Sequence, residues 1–351
     1  MPYKYSPYMH WAKTQSRARY NLATSGVGGY PLRELPFDCS QLEINGENSY
    51  GYLPLKQAIA AHAGADPDSV VMAAGTSFAN YLAMAAILDP GDEALIEQPA
   101  YGLLIDAAQY IGAAVKRFPR TGESGWALDP ALIRRSVTAK TKLIVVTNLH
   151  NPSSALAPES TLREIADIAR SIGARLLVDE VYLDAVYENT PRTSFHIGPE
   201  VVITNSLTKV YGLSGLRCGW ILAEPGLARA MWQLNNLFAA TPVHPGELLS
   251  VQAFANLDRI RERARRIVEA DRAVLRRYAP APPHGTTMFL DLGVPDAEPF
   301  LERLRAEYET SAVPGKFFEM PGHIRIGMGV DHEVFTEGAK RLFALAAQAQ
   351  R

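Results

Sequence analysis

The chain has 351 residues, 47% of them apolar and 21% charged, which is the profile of an ordinary globular protein with room for one large domain and a smaller one. Lysine and arginine number 35 against 37 aspartate and glutamate, a net charge of −2, so no global field draws the chain to nucleic acid or an anionic membrane, and small molecules are the expected partners. Two cysteines, Cys39 and Cys218, are too few and too distant for a disulfide framework or a zinc site and read as buried thiols; no metal is expected.

The N-terminus lacks an apolar core of signal-peptide length, and no apolar stretch is long enough to span a bilayer, so a cytoplasmic location is the expectation. The first 45 residues carry Tyr3, Tyr5, Tyr8, Trp11 and Tyr20, then a run punctuated by Gly26, Gly28, Gly29 and Pro31; they read as an aromatic, loop-like arm. An amphipathic helix opens from Tyr50-Gly51-Tyr52, with Leu55, Ile59 and Ala60 on one side. Residues 70–74 read as a buried strand running into Gly75-Thr76-Ser77 and a helix over 78–88. Strand, glycine turn and helix N-terminus form a natural phosphate cradle, because free N–H groups and the positive end of the helix dipole favour an anion, and Thr76 adds a hydroxyl.

A short strand over 94–96 leads to Gln98-Pro99-Ala100-Tyr101-Gly102. Leu143-Ile144-Val145-Val146-Thr147 is a near-continuous apolar strand, of the kind buried on both faces of a parallel sheet, and it hands over to Asn148-Leu149-His150-Asn151-Pro152-Ser153-Ser154. The helix over 159–172 places Leu162, Ile165, Ala166 and Ala169 at helical spacing, ends at Gly173 and reads as a crossover packed on the sheet. A strand over 176–178 then delivers Asp179, with Glu180 and Tyr182 close behind. Asp179, Glu180 and Asp184 lack the histidine or ordered oxygen spacing of a metal cluster.

The apolar run 201–204 ends in Ser206-Leu207-Thr208-Lys209-Val210-Tyr211-Gly212-Leu213-Ser214-Gly215-Leu216-Arg217-Cys218-Gly219, and the chain is organised around this stretch. A lysine just past a buried strand sits in the crevice where open α/β sheets collect ligands, and partial burial frees its amine to attack an aldehyde. Arg217 offers a planar donor fork suited to phosphate, and Ser206 and Thr208 add hydroxyls beside Lys209. An amine beside a phosphate clamp suggests a phosphorylated aldehyde. A further strand covers 219–223, and Pro242, Pro245 and Gly246 mark a domain boundary. The arginine-rich helix over 257–278 carries Glu262, Glu269 and Asp271 among its arginines, which describes an ion-paired, solvated face. A strand over 287–291, a helix over 299–308 and a strand over 323–327 carrying Arg325 complete the chain.

The lysine stretch resembles the signature of the class I/II aminotransferases, the fold type I family that uses pyridoxal 5′-phosphate; Ser206, Lys209, Gly212 and Arg217 match its spacing, and Cys218 stands where an aliphatic residue is commoner. The resemblance implies an α/β fold with a large domain over 46–243, built on a mixed, mostly parallel seven-stranded sheet between helices. It further implies a smaller α+β domain over 244–351, an arm over 1–45 packed on the small domain and the partner subunit, and a homodimer. Lys209 is then the residue that holds the cofactor and moves the Cα proton, Asp179 pairs with the pyridine nitrogen, and Tyr182 and Asn151 bond the phenolic oxygen. Tyr101 stacks on the ring, and Gly75, Thr76, Ser77, Ser206, Thr208 and Arg217 hold the phosphate. Arg325 grips the substrate α-carboxylate, with Asn151 and Gly26 beside it. Ser153-Ser154 replaces the family's Thr-Gly, and the tyrosine that reaches the neighbouring subunit's phosphate is missing: its place is Gly46, which leaves Tyr50 and Tyr52 as alternatives.

The implied activity is transamination between an L-amino acid and a 2-oxo acid. Decarboxylation, β- or γ-elimination, racemisation and a cyclising synthesis are the alternatives on the same scaffold. A cofactor-binding transcription factor would need a helix-turn-helix for which 351 residues leave no room.

Overall fold

A computed structural model of the protein describes residues 4–47 and 49–349. Eight strands precede residue 223: β1 (Tyr20–Asn21), β2 (Val70–Ala74), β3 (Glu93–Gln98), β4 (Ala114–Pro119), β5 (Thr141–Thr147), β6 (Arg175–Asp179), β7 (Val201–Ser206) and β8 (Cys218–Leu222). Seven of them form one sheet in the order β2-β8-β7-β6-β5-β3-β4, in which β8 alone runs antiparallel to its neighbours. This is the mixed, mostly parallel seven-stranded sheet expected from the sequence. Leu143, Ile144, Val145 and Val146 of β5 and Leu176, Leu177 and Val178 of β6 are all fully buried, as helices on both faces require. The helix Glu159–Ser171 buries Leu162, Ile165, Ala166, Ile168 and Ala169, one stripe of its surface, against this layer.

Because β2 and the parallel strands point the same way, the chain leaves all of them at one edge, and Gly75, Tyr101, Asn151, Asp179 and Lys209 all follow strand ends there. Strand β4 was not evident in the sequence. It lies at the sheet edge with Lys116 and Arg117 in its middle, charges that blunt an exposed edge and also hide the strand from a search for apolar runs.

The C-terminal part builds a second core. Strands β9 (Thr287–Asp291), β11 (Val313–Pro314) and β12 (His323–Gly327) form an antiparallel sheet in the order β11-β12-β9, while β10 (Thr310–Ser311) pairs with β1. Leu22, Val268, Leu275, Ile324, Ile326, Phe335 and Leu342 are among the residues buried there, drawn from the arm, the long helix Leu257–Leu275, β12 and the final helix His332–Ala349. A third cluster joins Tyr8 and Trp11 to Val313 and Phe318. It seats a helix, Pro7–Thr14, in the segment where the sequence suggested only loop; the Ser6 hydroxyl caps it by accepting from the Met9 N–H at 3.4 Å. Cys218 is buried as expected, whereas Cys39 is exposed, because its short 3₁₀ turn lies outside every core cluster. Among the described residues no helix is long and apolar enough to cross a membrane, and no group of histidine, cysteine and carboxylate side chains could hold a metal.

Candidate active site

A cavity of about 520 Å³ opens at the strand ends. Thr76, Ser77, Tyr101, Asn151, Asp179, Tyr182, Thr208, Lys209, Arg217 and Gly26 line it, so ten residues singled out in the sequence meet at one place.

Lys209 leaves the end of β7, and its Nζ donates to the Ser25 hydroxyl at 2.8 Å. The arm is pressed against the lysine: Val27 N–H donates to the Lys209 carbonyl at 2.8 Å, and a Cβ on Gly26 would lie 2.8 Å from that oxygen. Only glycine permits this approach without a shift.

The helix Thr76–Ile87 starts two residues earlier than its apolar pattern suggests, which puts Thr76 and Ser77 in the first turn, where N–H groups are free for an anion. Gly75 before it has φ +81°, and a Cβ there would meet Arg217 Nη2 at 2.3 Å. Arg217 itself takes a left-handed conformation, φ +51°, and its fork donates to the carbonyls of Ala74 at 2.8 Å and Ser214 at 3.2 Å. Ser206 stands behind the cradle and does not line the cavity; its hydroxyl accepts from Thr76 Oγ1 at 2.8 Å and from Thr208 N–H at 3.2 Å. The Thr208 hydroxyl is buried without a partner among the described residues. A phosphate would satisfy it.

Asp179 is buried at the end of β6, and its two oxygens accept from Asn80 Nδ2 at 2.8 Å and Val181 N–H at 3.0 Å. Thr204 donates to Asn80 Oδ1 at 2.6 Å, which leaves the amide only its N–H₂ to turn toward the carboxylate. Burial pushes the Asp179 carboxyl up to about 6, while the bonds from Asn80 and Val181 oppose that rise and keep it mostly ionised at neutral pH. A lined, ionised carboxylate of this kind suits a protonated ring nitrogen. Asn80 was not anticipated: it sits mid-helix in an otherwise apolar pattern, and that break in the pattern was the available signal.

Asn151 follows β5; its N–H donates to Thr147 Oγ1 at 3.1 Å, and Thr147 in turn is held by Glu97, which pairs with Arg120 at 2.7 Å with both side chains fully buried. Arg325 on β12 is fully buried and has no carboxylate partner among the described residues. Its Nη1 donates to Asn151 Oδ1 at 3.0 Å, its Nη2 to the Tyr8 hydroxyl at 3.0 Å and more weakly to the Thr24 carbonyl at 3.5 Å, and its Nε has no partner. A buried guanidinium left without an anion is costly, and a substrate carboxylate is the natural complement. Tyr8 also lines the cavity and packs edge-on to Tyr101, with ring centroids 5.4 Å apart at 82°. Neither the helix that carries Tyr8 nor its destination was read from the sequence, which suggested only a loop-like arm there.

Tyr50 and Tyr52 do not line this cavity; Tyr50 packs near Trp232 and Tyr52 lies edge-on to His244 at 5.0 Å. The donors for an anion, the lysine amine with no carboxylate partner among the described residues and the buried Asp179 carboxylate together fit pyridoxal phosphate. The fold and this chemistry define a pyridoxal-phosphate-dependent enzyme of fold type I.

The profile of the family described as aminotransferase class I and II matches residues 40–342, and the chain belongs to that family. It is 29% identical to capreomycidine synthase from Streptomyces vinaceus, covering 95% of this chain and 91% of that one. It is 27% identical to the arginine–pyruvate transaminase of Pseudomonas aeruginosa, covering 81% and 76%. Among solved structures, a PLP-dependent aminotransferase from Streptococcus suis superposes with a TM-score of 0.90 at 25% identity over 98% of both chains. The PLP-dependent cyclase OrfR gives 0.87 at 23% identity over 99% of both, a likeness of fold.

Proposed function

We propose that the protein is an aminotransferase that moves the amino group of an L-amino acid to a 2-oxo acid. The observation that carries this reading is the fully buried guanidinium of Arg325, which has no carboxylate partner among the described residues and is bonded to Asn151 and Tyr8, two residues that line the cavity together with Lys209; transamination needs a carboxylate anchor and a proton-transfer amine in one site. Pyridoxal phosphate, when bound, supplies an aldehyde and a ring that stabilises negative charge at the substrate Cα. Lys209 holds that group through its amine, and the first turn of helix Thr76–Ile87, the Thr208 hydroxyl and Arg217 take its phosphate. Asp179 would pair with the ring nitrogen, Tyr101 would stack on the ring, and Asn151 and Tyr182 would bond the phenolic oxygen. Arg325 orients the substrate by its carboxylate. With that group and the substrate bound, the Lys209 amine would take the Cα proton as general base and deliver it as general acid to the carbon that had carried the aldehyde.

A homodimer follows from the same reading. Leu237, Phe238 and Val243 are exposed at 78%, 54% and 70%, and this segment adjoins Tyr50 and Tyr52 through Trp232 and His244. A partner seated there would bring one of those tyrosines toward its own phosphate cradle.

One observation favours a second reading, a cyclising synthase. The similarity to capreomycidine synthase leaves out 5% of 351 residues, about 18, fewer than the 39 that precede the family profile, so it reaches into the arm that lines the substrate end. The test is a half-reaction: cofactor-loaded protein, single L-amino acids, no oxo acid, absorbance of the bound cofactor and mass spectrometry of the products. Conversion of the cofactor to its amine form with release of the matching oxo acid supports transamination. An unchanged cofactor with a cyclised product would sink it in favour of the synthase.

A further inference from the structure

The Arg325–Tyr8 contact has a direction. Arg325 Nη2 is the donor, so the Tyr8 oxygen is the acceptor and the hydroxyl proton is left over. No described residue accepts that proton, although Tyr8 is 8% exposed and lines the cavity shared with Lys209 and Asn151. Asn151 is arranged the same way: its carbonyl is taken by Arg325 Nη1 and its amide N–H₂ has no acceptor among the described residues. Around the Arg325 guanidinium two neutral groups therefore use their acceptors inward and keep their donors for something else.

The ring of Tyr8 is fixed independently of its hydroxyl. Phe317 packs at 5.6 Å, Phe318 at 6.2 Å and Tyr101 at 5.4 Å, and the guanidinium carbon of Arg325 lies 5.8 Å from its centroid. The oxygen is thus held by packing, and helix Pro7–Thr14 is the element that delivers it.

We propose that Tyr8 is a substrate-binding residue: its hydroxyl holds Arg325 in place and donates its own proton to the substrate α-carboxylate, completing with Arg325 and Asn151 a clamp built partly from the N-terminal arm. This rests on the reading of the cavity as an amino-acid site.

The clamp carries a proton dependence. The titratable groups facing Tyr8 are Arg325 from β12, Lys209 from the loop after β7, and Tyr101 ahead of helix Gly102–Ile111. Burial alone would raise the Tyr8 phenol, but the positive charges of Arg325 and Lys209 and the bond from Arg325 outweigh it and bring the group below the usual phenol range. Ionised Tyr8 has no proton to give and competes with the carboxylate for Arg325. Carboxylate affinity is therefore full below the pKa of Tyr8 and falls as pH rises through it.

The experiment compares cofactor-loaded wild type with Tyr8→Phe, which keeps the packed ring and removes only the hydroxyl. The probes are the twenty proteinogenic L-amino acids and, for the one that perturbs the bound-cofactor absorbance at lowest concentration, its amide, which lacks the carboxylate. The dissociation constant of the amino acid should rise about ten-fold or more in the variant, as for one lost hydrogen bond to a charged group, with the maximal half-reaction rate changed less than about three-fold. The amide should bind both proteins alike, and the alkaline fall in amino-acid affinity should vanish in the variant. Unchanged affinity, or an equal loss for the amide, would overturn the proposal. If wild type binds amino acids but forms no oxo acid, the aminotransferase reading fails while the affinity comparison still decides the role of Tyr8.

Discussion

The bond from Asn80 to Asp179 makes a quantitative prediction. Replacing Asn80 by Leu keeps the branching of the side chain, with somewhat greater bulk, and removes the donor to Asp179 Oδ2. A hydrogen bond to a charged group contributes about 1.5–3 kcal/mol, and 1.36 kcal/mol is one pKa unit, so losing it lifts the carboxyl by about 1–2 units. From about 6 in the wild type, Asp179 moves to roughly 7–8. If only the ionised form pairs with the cofactor's ring nitrogen, the Kd for pyridoxal phosphate scales with the free protein's protonated-to-ionised ratio plus one. At pH 6 that factor is about 2 for wild type and about 10–100 for the variant, a loss of about 5–50-fold, shrinking to about four-fold or less at pH 7.5 and nearly to nothing by pH 9. Equilibrium dialysis or fluorescence quenching across that range measures it. A loss of equal size at every pH would mean that the variant disturbs packing, and no loss at pH 6 would mean that Asn80 does not tune Asp179; either result refutes the reasoning.

Lys209→Ala should abolish turnover, with half-reaction rates down by at least about 10²–10⁴-fold, and borohydride reduction should leave no cofactor adduct in the mass spectrum. Gly75→Ala puts a Cβ 2.3 Å from Arg217 Nη2 at φ +81°, and strain of about 1–3 kcal/mol at that turn should weaken pyridoxal-phosphate binding about ten-fold or more by titration, the fold being spared because Arg217 can swing outward. Asp179 is raised from the usual 3.8 to about 6, so its contribution to stability is present below about pH 4 and lost as pH rises to about 6, about 3 kcal/mol in all. Cofactor-free Asp179→Asn should therefore gain about 2 kcal/mol on wild type in unfolding stability between pH 4.5 and pH 7.5, because about 1 of the 3 kcal/mol is already lost at pH 4.5; an equal difference at both pH values would count against the raised carboxyl. Phe238→Asp should shift the sedimentation coefficient toward that of a monomer, since a charge would be buried in the proposed dimer contact.

The sheet and the cofactor end of the site were legible because each piece is local. An apolar run buried on both faces ends, and within a few residues a polar side chain follows: Asp179 directly at the end of β6, Asn151 four residues past β5, Lys209 three past β7. Spacing along the chain then carries the information. Asn80 and Tyr8 were not legible because their meaning lies in partners 99 and 317 positions away, Asp179 and Arg325. Nothing near Tyr8 distinguishes it from Tyr5, which is half-exposed one helical turn earlier. The edge strand β4 escaped for a different reason: Lys116 and Arg117 break its apolar pattern, Lys116 half-exposed at the edge and Arg117 folded back onto the carbonyls of Ile96 and Glu97, so burial and pattern part company there.

The same division bears on which reaction the protein performs. The proposed cofactor end rests on the large sheet and its core, whereas the proposed carboxylate clamp joins Arg325 on β12 of the small sheet to Tyr8 on the arm and Asn151 after β5. Which bond at Cα breaks depends on how the substrate is held, and the carboxylate is the handle by which it is held. Breaking the bond to the carboxylate would turn the anion gripped by Arg325 into neutral carbon dioxide, returning a fully buried guanidinium to a site with no acidic partner among the described residues. That cost opposes decarboxylation at the moment the bond stretches. Loss of the Cα proton leaves the ion pair intact throughout, and both transamination and cyclisation begin with that loss. The clamp thus favours Cα–H cleavage, and the outcome afterwards is decided by where the returning proton, or a nucleophile on the substrate's own side chain, can reach.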